Sequence, residues 1–234
     1  MSYEQIKIAT QVDVRKQVPS SQYVSFDGAE NTGLRVMFVG NSITLHEVNE
    51  GIGWLNAWGM AASAKEKDYV HLCFDHIRQA HPNAKFCICQ GGEWERNYKE
   101  GDSTLPLFAS AREFEADVIL IKLAGNCSWE NFDSALFKQN YASLVKYLNK
   151  SGKARVVVAS EFHHHPAEEA LEAYAREMDY PYVLLGDLGE RPEMMALGLF
   201  EHEGVAHHPG DLGMQNIADR FCRAFDALTL PGEK

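Results

Sequence analysis

The sequence is short of positive charge. It carries 22 Lys and Arg against 33 Asp and Glu, a formal net charge of −11, and nowhere gathers its basic residues into a stripe. Nucleic acid is thereby excluded as a general partner, because neutralising phosphates needs such a stripe. Neutral sugars and small esters are not excluded. Cysteine is sparse and odd in number: Cys73, Cys87, Cys89, Cys127 and Cys222, with no CxxC spacing. Cys87 and Cys89 stand two apart in a predicted strand, so they point to one face and are poorly placed to bridge each other. Buried, reduced thiols are expected, which suits a reducing, cytoplasmic compartment. No apolar run approaches the length of a membrane span, and the N-terminal MSYEQIKIAT lacks the basic and apolar blocks of a signal peptide. No membrane partner is therefore expected. HxxxH and HExxH spacings are absent, and the tract His163-His164-His165 alternates faces in an extended chain. Neither a metal nor a cofactor is expected.

What is present fits one soluble domain. Apolar residues make up 45% and charged residues 24% of the 234 positions, and a chain of this size buries roughly 70% of its unfolded surface without staples. Residues 1–33 are polar and turn-rich, and are expected to form an arm or short strands; residues 34–234 are expected to form the main folded domain. Nearly continuous apolar runs at 34–39, 85–89, 118–123, 155–159 and 182–185 have the pattern of strands buried on both faces. Helical segments at 132–149, 167–178 and 211–228 alternate with them. The expectation is a three-layer α/β/α domain with a five-stranded parallel sheet in the flavodoxin-like order 2-1-3-4-5, its ligand crevice at the carboxyl ends of the strands. Between the first two strands, Trp54 and Trp58 lie in a glycine-rich stretch that reads either as core or as a lid over the site.

Three groups at those strand ends carry chemistry. Ser42, in Gly40-Asn41-Ser42-Ile43-Thr44 after the first strand, is placed where a helix is expected to begin; free N–H groups there would favour an oxyanion, or would cap a helix or cradle a phosphate. His208, fixed by Pro209 before the last helix, has a side chain suited to general base work, although a loop histidine is the blander reading. Asp211 is expected to cap that helix. Asn126, after Gly125 at the end of the third strand, offers a side-chain amide donor or is a plain turn residue.

Taken in order, these segments resemble the SGNH (GDSL-like) hydrolase family. Gly-Asn-Ser-Ile-Thr is similar to the first block, usually Gly-Asp-Ser, with Asn41 in place of the acid. Gly91-Gly92 falls where the second block's glycine stands, Gly125-Asn126 resembles the third block with a residue missing or shifted, and His208-Pro209 resembles the fourth. The resemblance implies Ser42 as nucleophile, His208 as base, and an oxyanion hole of the Ser42 N–H, the Gly92 N–H and the Asn126 side chain. One departure stands out. The family's Asp three residues before the histidine is Val205 here, and the nearest carboxylate is Glu203. Either Glu203 completes a triad or a backbone carbonyl orients the ring in a dyad; the dyad is preferred.

The implied reaction is hydrolysis of a small acyl ester, an acetyl on a carbohydrate being the first expectation, through an acyl-enzyme. One of His163, His164 and His165 is expected to line the pocket. Glu93 and Glu95 are expected to be solvated or structural. Two alternatives stay open: a phosphate- or flavin-binding flavodoxin-like module, and a degenerate hydrolase fold kept for protein binding. Homo-oligomerisation is left open.

Overall fold

The structure, a computed structural model, describes residues 24–28 and 33–230; of the arm or short strands expected over residues 1–33, residues 1–23 and 29–32 lie outside the described residues. The sheet has six strands: β1 (Val24–Asp27), β2 (Arg35–Gly40), β3 (Lys85–Gln90), β4 (Val118–Lys122), β5 (Arg155–Ala159) and β6 (Tyr182–Val183), in the order β1-β3-β2-β4-β5-β6. The five strands β2 to β6 are parallel and follow the expected 2-1-3-4-5 order. The sixth corrects the expected count. β1 adds antiparallel to β3, Val24 opposite Cys89. Its four residues, VSFD, run from buried Val24 to exposed Phe26 on an edge strand with a single neighbour, so no continuous apolar run announces it.

Alternation along each strand feeds two cores. In β2, Val36 and Phe38 face one layer, Met37 and Val39 the other. The first layer is built by α1 (Tyr69–Ala80) and α7 (Asp211–Asp226), with Phe74 stacked on Phe86 at 3.8 Å and Tyr69 stacked on Phe221 at 5.6 Å. The second is built by α4 (Ser134–Leu148) and α5 (Glu168–Glu177), where Trp94 meets Phe137 and Tyr141 edge-on. Short helices α2 (Gly92–Arg96), α3 (Ala109–Glu113) and α6 (Glu203–Ala206) complete the connections. Asp68 and Asp133 cap α1 and α4 through their carboxylates. Asp211 does not cap α7: Gly210 holds that position, and the Asp211 carboxylate instead ties the helix to Ser63 and Lys67. The five cysteines are free thiols, four of them buried. No helix among the described residues is long and apolar enough to cross a membrane.

Two further expectations change. Past Ser42 the chain makes one hydrogen-bonded turn, in which Thr44 and Leu45 N–H both donate to the Asn41 carbonyl, and then leaves as a bridge pairing His46 with Trp58. No helix begins there, because Met60 N–H draws the Ser42 carbonyl outward and the strand-like bridge takes the next residues. Trp54 and Trp58 are core, not lid. They meet edge-on at 6.0 Å, Trp54 also meets Phe200, and their indole N–H groups donate to the His46 and Ala62 carbonyls. Trp54→Ala should therefore lower stability by about 3–5 kcal/mol in urea unfolding; a loss below about 1 kcal/mol would place the indole outside the core.

Candidate active site

The parallel register aligns Gly40, Gln90, Lys122 and Ala159 at one edge of the sheet. Four loops leave from that line, and the groups singled out in the sequence sit on them. Gly40 must be glycine: a Cβ there would stand 1.9 Å from Thr44 Oγ1 and 2.9 Å from the Lys122 carbonyl. That close approach lets the chain fold back directly after the strand and turn the Ser42 side chain into a cleft of about 200 Å³. The cleft is lined by Ser42, Asn126, His208, the three histidines 163–165, Trp129 and Glu161, among others.

Ser42 Oγ lies 2.7 Å from His208 Nε2. The opposite ring nitrogen, Nδ1, lies 2.6 Å from the Gly204 carbonyl. A carbonyl only accepts, so Nδ1 carries the hydrogen and Nε2 turns its lone pair to the serine hydroxyl. Removal of water from around the ring, with the Lys122 ammonium behind it, outweighs the Gly204 hydrogen bond and lowers the His208 pKa to about 4. The imidazole is therefore neutral at pH 7 and free to accept a proton. The origin of the Gly204 contact is local. α6 is one turn long, so no further turn follows to supply an N–H to the Gly204 carbonyl, and the chain curling past its end brings the His208 ring back over it. Glu203 sits in the exposed first turn of the same helix, where its backbone carbonyl receives the N–H and Nδ1 of His207.

Beneath the serine lies a polar cluster closed to water. Asn41, Glu95, Lys122 and Glu161 are 3%, 0%, 0% and 4% exposed. Lys122 Nζ donates to Glu161 Oε2 at 2.6 Å and to Asn41 Oδ1 at 3.0 Å. Asn41 Nδ2 donates to Glu95 Oε1 at 3.0 Å and Glu161 Oε2 at 3.1 Å, and Glu161 Oε1 receives the Ala124 N–H at 2.6 Å. Asn126 Nδ2 donates to Glu95 Oε2. Burial pushes Glu95 up to about 7, with Glu161 adding to the rise. The same burial acts on Glu161, but the Lys122 ammonium and its other hydrogen bonds bring it below the ordinary carboxylate value. Asn41 now has a physical explanation: an Asp there would set a third carboxylate against two others, whereas the amide bridges them.

Sequence reading missed Lys122 and Glu161; Glu95, expected to be solvated or structural, is fully buried in the cluster. Lys122 gave a signal, a lone cation ending an otherwise apolar strand, which cannot be buried without an anion. Gly92 is not brought to the cleft. It begins α2, its N–H donates to Gln90 Oε1 at 2.9 Å, and it is absent from the lining. The three histidines all reach the rim but spend their ring nitrogens on different partners: His163 on the His207 carbonyl, His164 on Glu168 and Glu190, His165 on the Cys127 carbonyl and the Ala167 N–H.

No family model and no curated protein matches the chain. Solved structures do. A two-domain esterase (CEX) active on acetylated mannans aligns with a TM-score of 0.55 and 20% identity, over 86% of this chain and 53% of that one. The psychrotrophic esterase EstA from Pseudoalteromonas sp. aligns at 0.53 and 14%, over 82% and 96%. A member of the lipolytic G-D-S-L family from Veillonella parvula aligns at 0.50 and 15%, over 83% and 100%. The chain has an SGNH hydrolase-like fold. It spans about half the length of the CEX structures, 49% and 53% in the two forms. At Nδ1 of His208 the structure places the Gly204 carbonyl and no carboxylate.

That geometry sets an expectation for Glu203. In a turnover assay Glu203→Gln should remain within about tenfold of the unmodified chain, whereas neutralising a working triad acid costs about 10⁴. His208→Ala, expected to abolish turnover, is the control.

Proposed function

We propose that this chain is a serine esterase that removes a small acyl group, acetyl on a carbohydrate in the first instance, with Ser42 as nucleophile and His208 as base. The observation that carries the reading is the 2.7 Å Ser42–His208 contact with the imidazole in the accepting tautomer. His208 takes the hydroxyl proton as Ser42 Oγ attacks the ester carbonyl, and returns it to the leaving alcohol. Water then enters and gives a proton to His208 as its oxygen attacks the acyl carbon; the bond to Ser42 Oγ breaks, His208 returns the proton to Oγ, and the acid leaves.

The tetrahedral oxyanion needs donors in place beforehand. The Ser42 N–H has no acceptor among the described residues, and the Asn126 amide keeps one hydrogen beyond the one given to Glu95. These two form the proposed hole. Gly92 is left out because Gln90 holds its N–H. Without a carboxylate on Nδ1 the imidazolium is stabilised by a carbonyl dipole alone, so Ser42 and His208 work as a dyad.

Substrate size and character come from the cleft. About 200 Å³ is smaller than the ~300–1,000 Å³ of drug-sized ligand sites, which suits a short acyl group. Trp129, 63% exposed at the mouth, offers an aromatic surface of the kind that covers the apolar face of a sugar ring. CEX is active on acetylated mannans and was crystallised with mannopentaose, which supports an acetylated carbohydrate as substrate. The phosphate- or flavin-cradle alternative is disfavoured: the turn's Thr44, Leu45 and Ile43 N–H groups are all taken by Asn41, and two carboxylates lie beneath it. The degenerate-fold alternative leaves the alignment of serine and imidazole without a role.

Rates against a series of aryl esters from acetate to octanoate should be highest at acetate and fall with chain length. Ser42→Ala should abolish turnover and labelling by a fluorophosphonate probe, EstA being a protein of this fold inhibited by monoethylphosphonate. Turnover surviving in folded Ser42→Ala would end the proposal. Asn126→Ala should lower kcat by about 10²–10³ with KM little changed, the cost of one oxyanion donor.

A further inference from the structure

Of the two carboxylates in the buried cluster, Glu161 answers the Lys122 ammonium, and Glu95 has no paired cation among the described residues and no part in the Ser–His mechanism. Glu95 is fully enclosed, its two oxygens accept from two different amides, and one of those amides belongs to Asn126 at the cleft. We infer that Glu95 is a positioning residue: as a carboxylate it fixes the Asn126 side chain with its NH₂ end toward the cluster and the cleft, and so selects the amide's donor orientation for the oxyanion. The inference rests on the esterase reading above and deepens it.

The argument is a count of hydrogens. Each oxygen of ionised Glu95 must receive one. Oε1 receives one from Asn41, whose amide cannot rotate. Its Oδ1 already accepts from Lys122 Nζ and the Ile43 N–H, and its second hydrogen goes to Glu161. Oε2 receives one from Asn126. The Asn126 amide is otherwise unconstrained: the residue is exposed and no other side-chain partner holds it. If Glu95 gains a proton, that proton must sit on Oε2, because Oε1 faces the fixed Asn41 hydrogen. Oε2 then donates, Asn126 turns by half a rotation to offer Oδ1, and the donor is lost from the cleft. Gln at position 95 imposes the same outcome permanently, since its single oxygen is required by Asn41 and its NH₂ then faces Asn126.

A pH dependence follows. The titratable and charged groups around Glu95 are Glu161 on the loop after β5, Lys122 at the end of β4, Cys127 on the following loop and Tyr141 on α4. Burial and Glu161 together raise the carboxyl to about 7, while the Asn126 and Asn41 hydrogen bonds and Lys122 oppose the rise. The carboxylate is therefore present above that value and lost as pH falls through it. His208 titrates at about 4 and by itself would leave kcat/KM flat across the interval between.

The test is kcat/KM for an aryl acetate across the acid and neutral range, in the unmodified chain, Asn126→Ala, Glu95→Gln and the double variant. The unmodified chain should lose activity on the acid side with a midpoint near 7, and Asn126→Ala should lack that limb and stay level toward about 4. Glu95→Gln should fall by about 10²–10³ in kcat with KM little changed, matching Asn126→Ala, and the double variant should fall no further. A merely structural Glu95 would give losses that multiply, and would leave the neutral limb in Asn126→Ala; either result overturns the inference. If Glu95→Gln does not fold, the pH profiles of the unmodified chain and Asn126→Ala decide, because Asn126 is exposed and position 95 is untouched. Ser42→Ala separates the two levels. Activity surviving there ends the esterase reading and this inference with it, whereas an inactive Ser42→Ala beside a near-normal Glu95→Gln ends the inference alone.

Discussion

A lysine ammonium without access to water governs the carboxyl edge of this sheet. Lys122 ends β4 with its side chain fully buried, and an unpaired charge in that setting costs several kcal/mol. Glu161 and the Asn41 carbonyl oxygen answer it. Fixing Asn41 fixes the turn that presents Ser42, and fixing Glu161 fixes the loops after β4 and β5 through the Ala124 N–H. Three segments distant in sequence are thereby set in one frame. A buried ion pair of this kind is weak as a source of stability, since apolar replacements of similar volume are often neutral or better. Its effect here is on geometry: it defines where the serine, the amide and the cleft lie relative to one another.

The same cluster explains how the site distributes charge. Two carboxylates and one ammonium lie below the serine, and none reaches the imidazole. His208 is instead oriented by a dipole, the Gly204 carbonyl, and held neutral by its surroundings. A neutral ring with a defined tautomer can accept a proton without first losing one. The acidic groups of the region accept from side-chain amides, those of Asn41 and Asn126.

Much of the architecture was legible in the order of residues. Five strands buried on both faces must be nearly continuous in apolar residues, and LRVMFV, KFCIC, VILIKL, RVVVA and YVLL are; alternation with amphipathic helices then leaves few topologies, and the strand order followed. Ser42, Asn126 and His208 were visible because each stands just past such a run or on the last loop, where a parallel sheet collects its ligands. β1 escaped because an edge strand carries no continuous run. The helix expected after Ser42 failed because a tertiary bridge, His46 with Trp58, claimed the chain. Gly92 was given its role by the resemblance and Asp211 by its place before the last helix, and a side-chain partner, Gln90 in one case and Ser63 with Lys67 in the other, took the group instead.

The sequence by itself determined the sheet, its order and the edge at which chemistry gathers, because these follow from periodicity and from chain connectivity, both written locally. Tertiary structure alone decided which groups meet there. That Asn41 bridges Glu95 and Glu161, and that Lys122 needs both Asn41 and Glu161, are consequences of contacts across up to 120 positions. Hydrogen bonds are directional and short, so their partners are fixed only when the fold has set donors and acceptors within about 3 Å of one another.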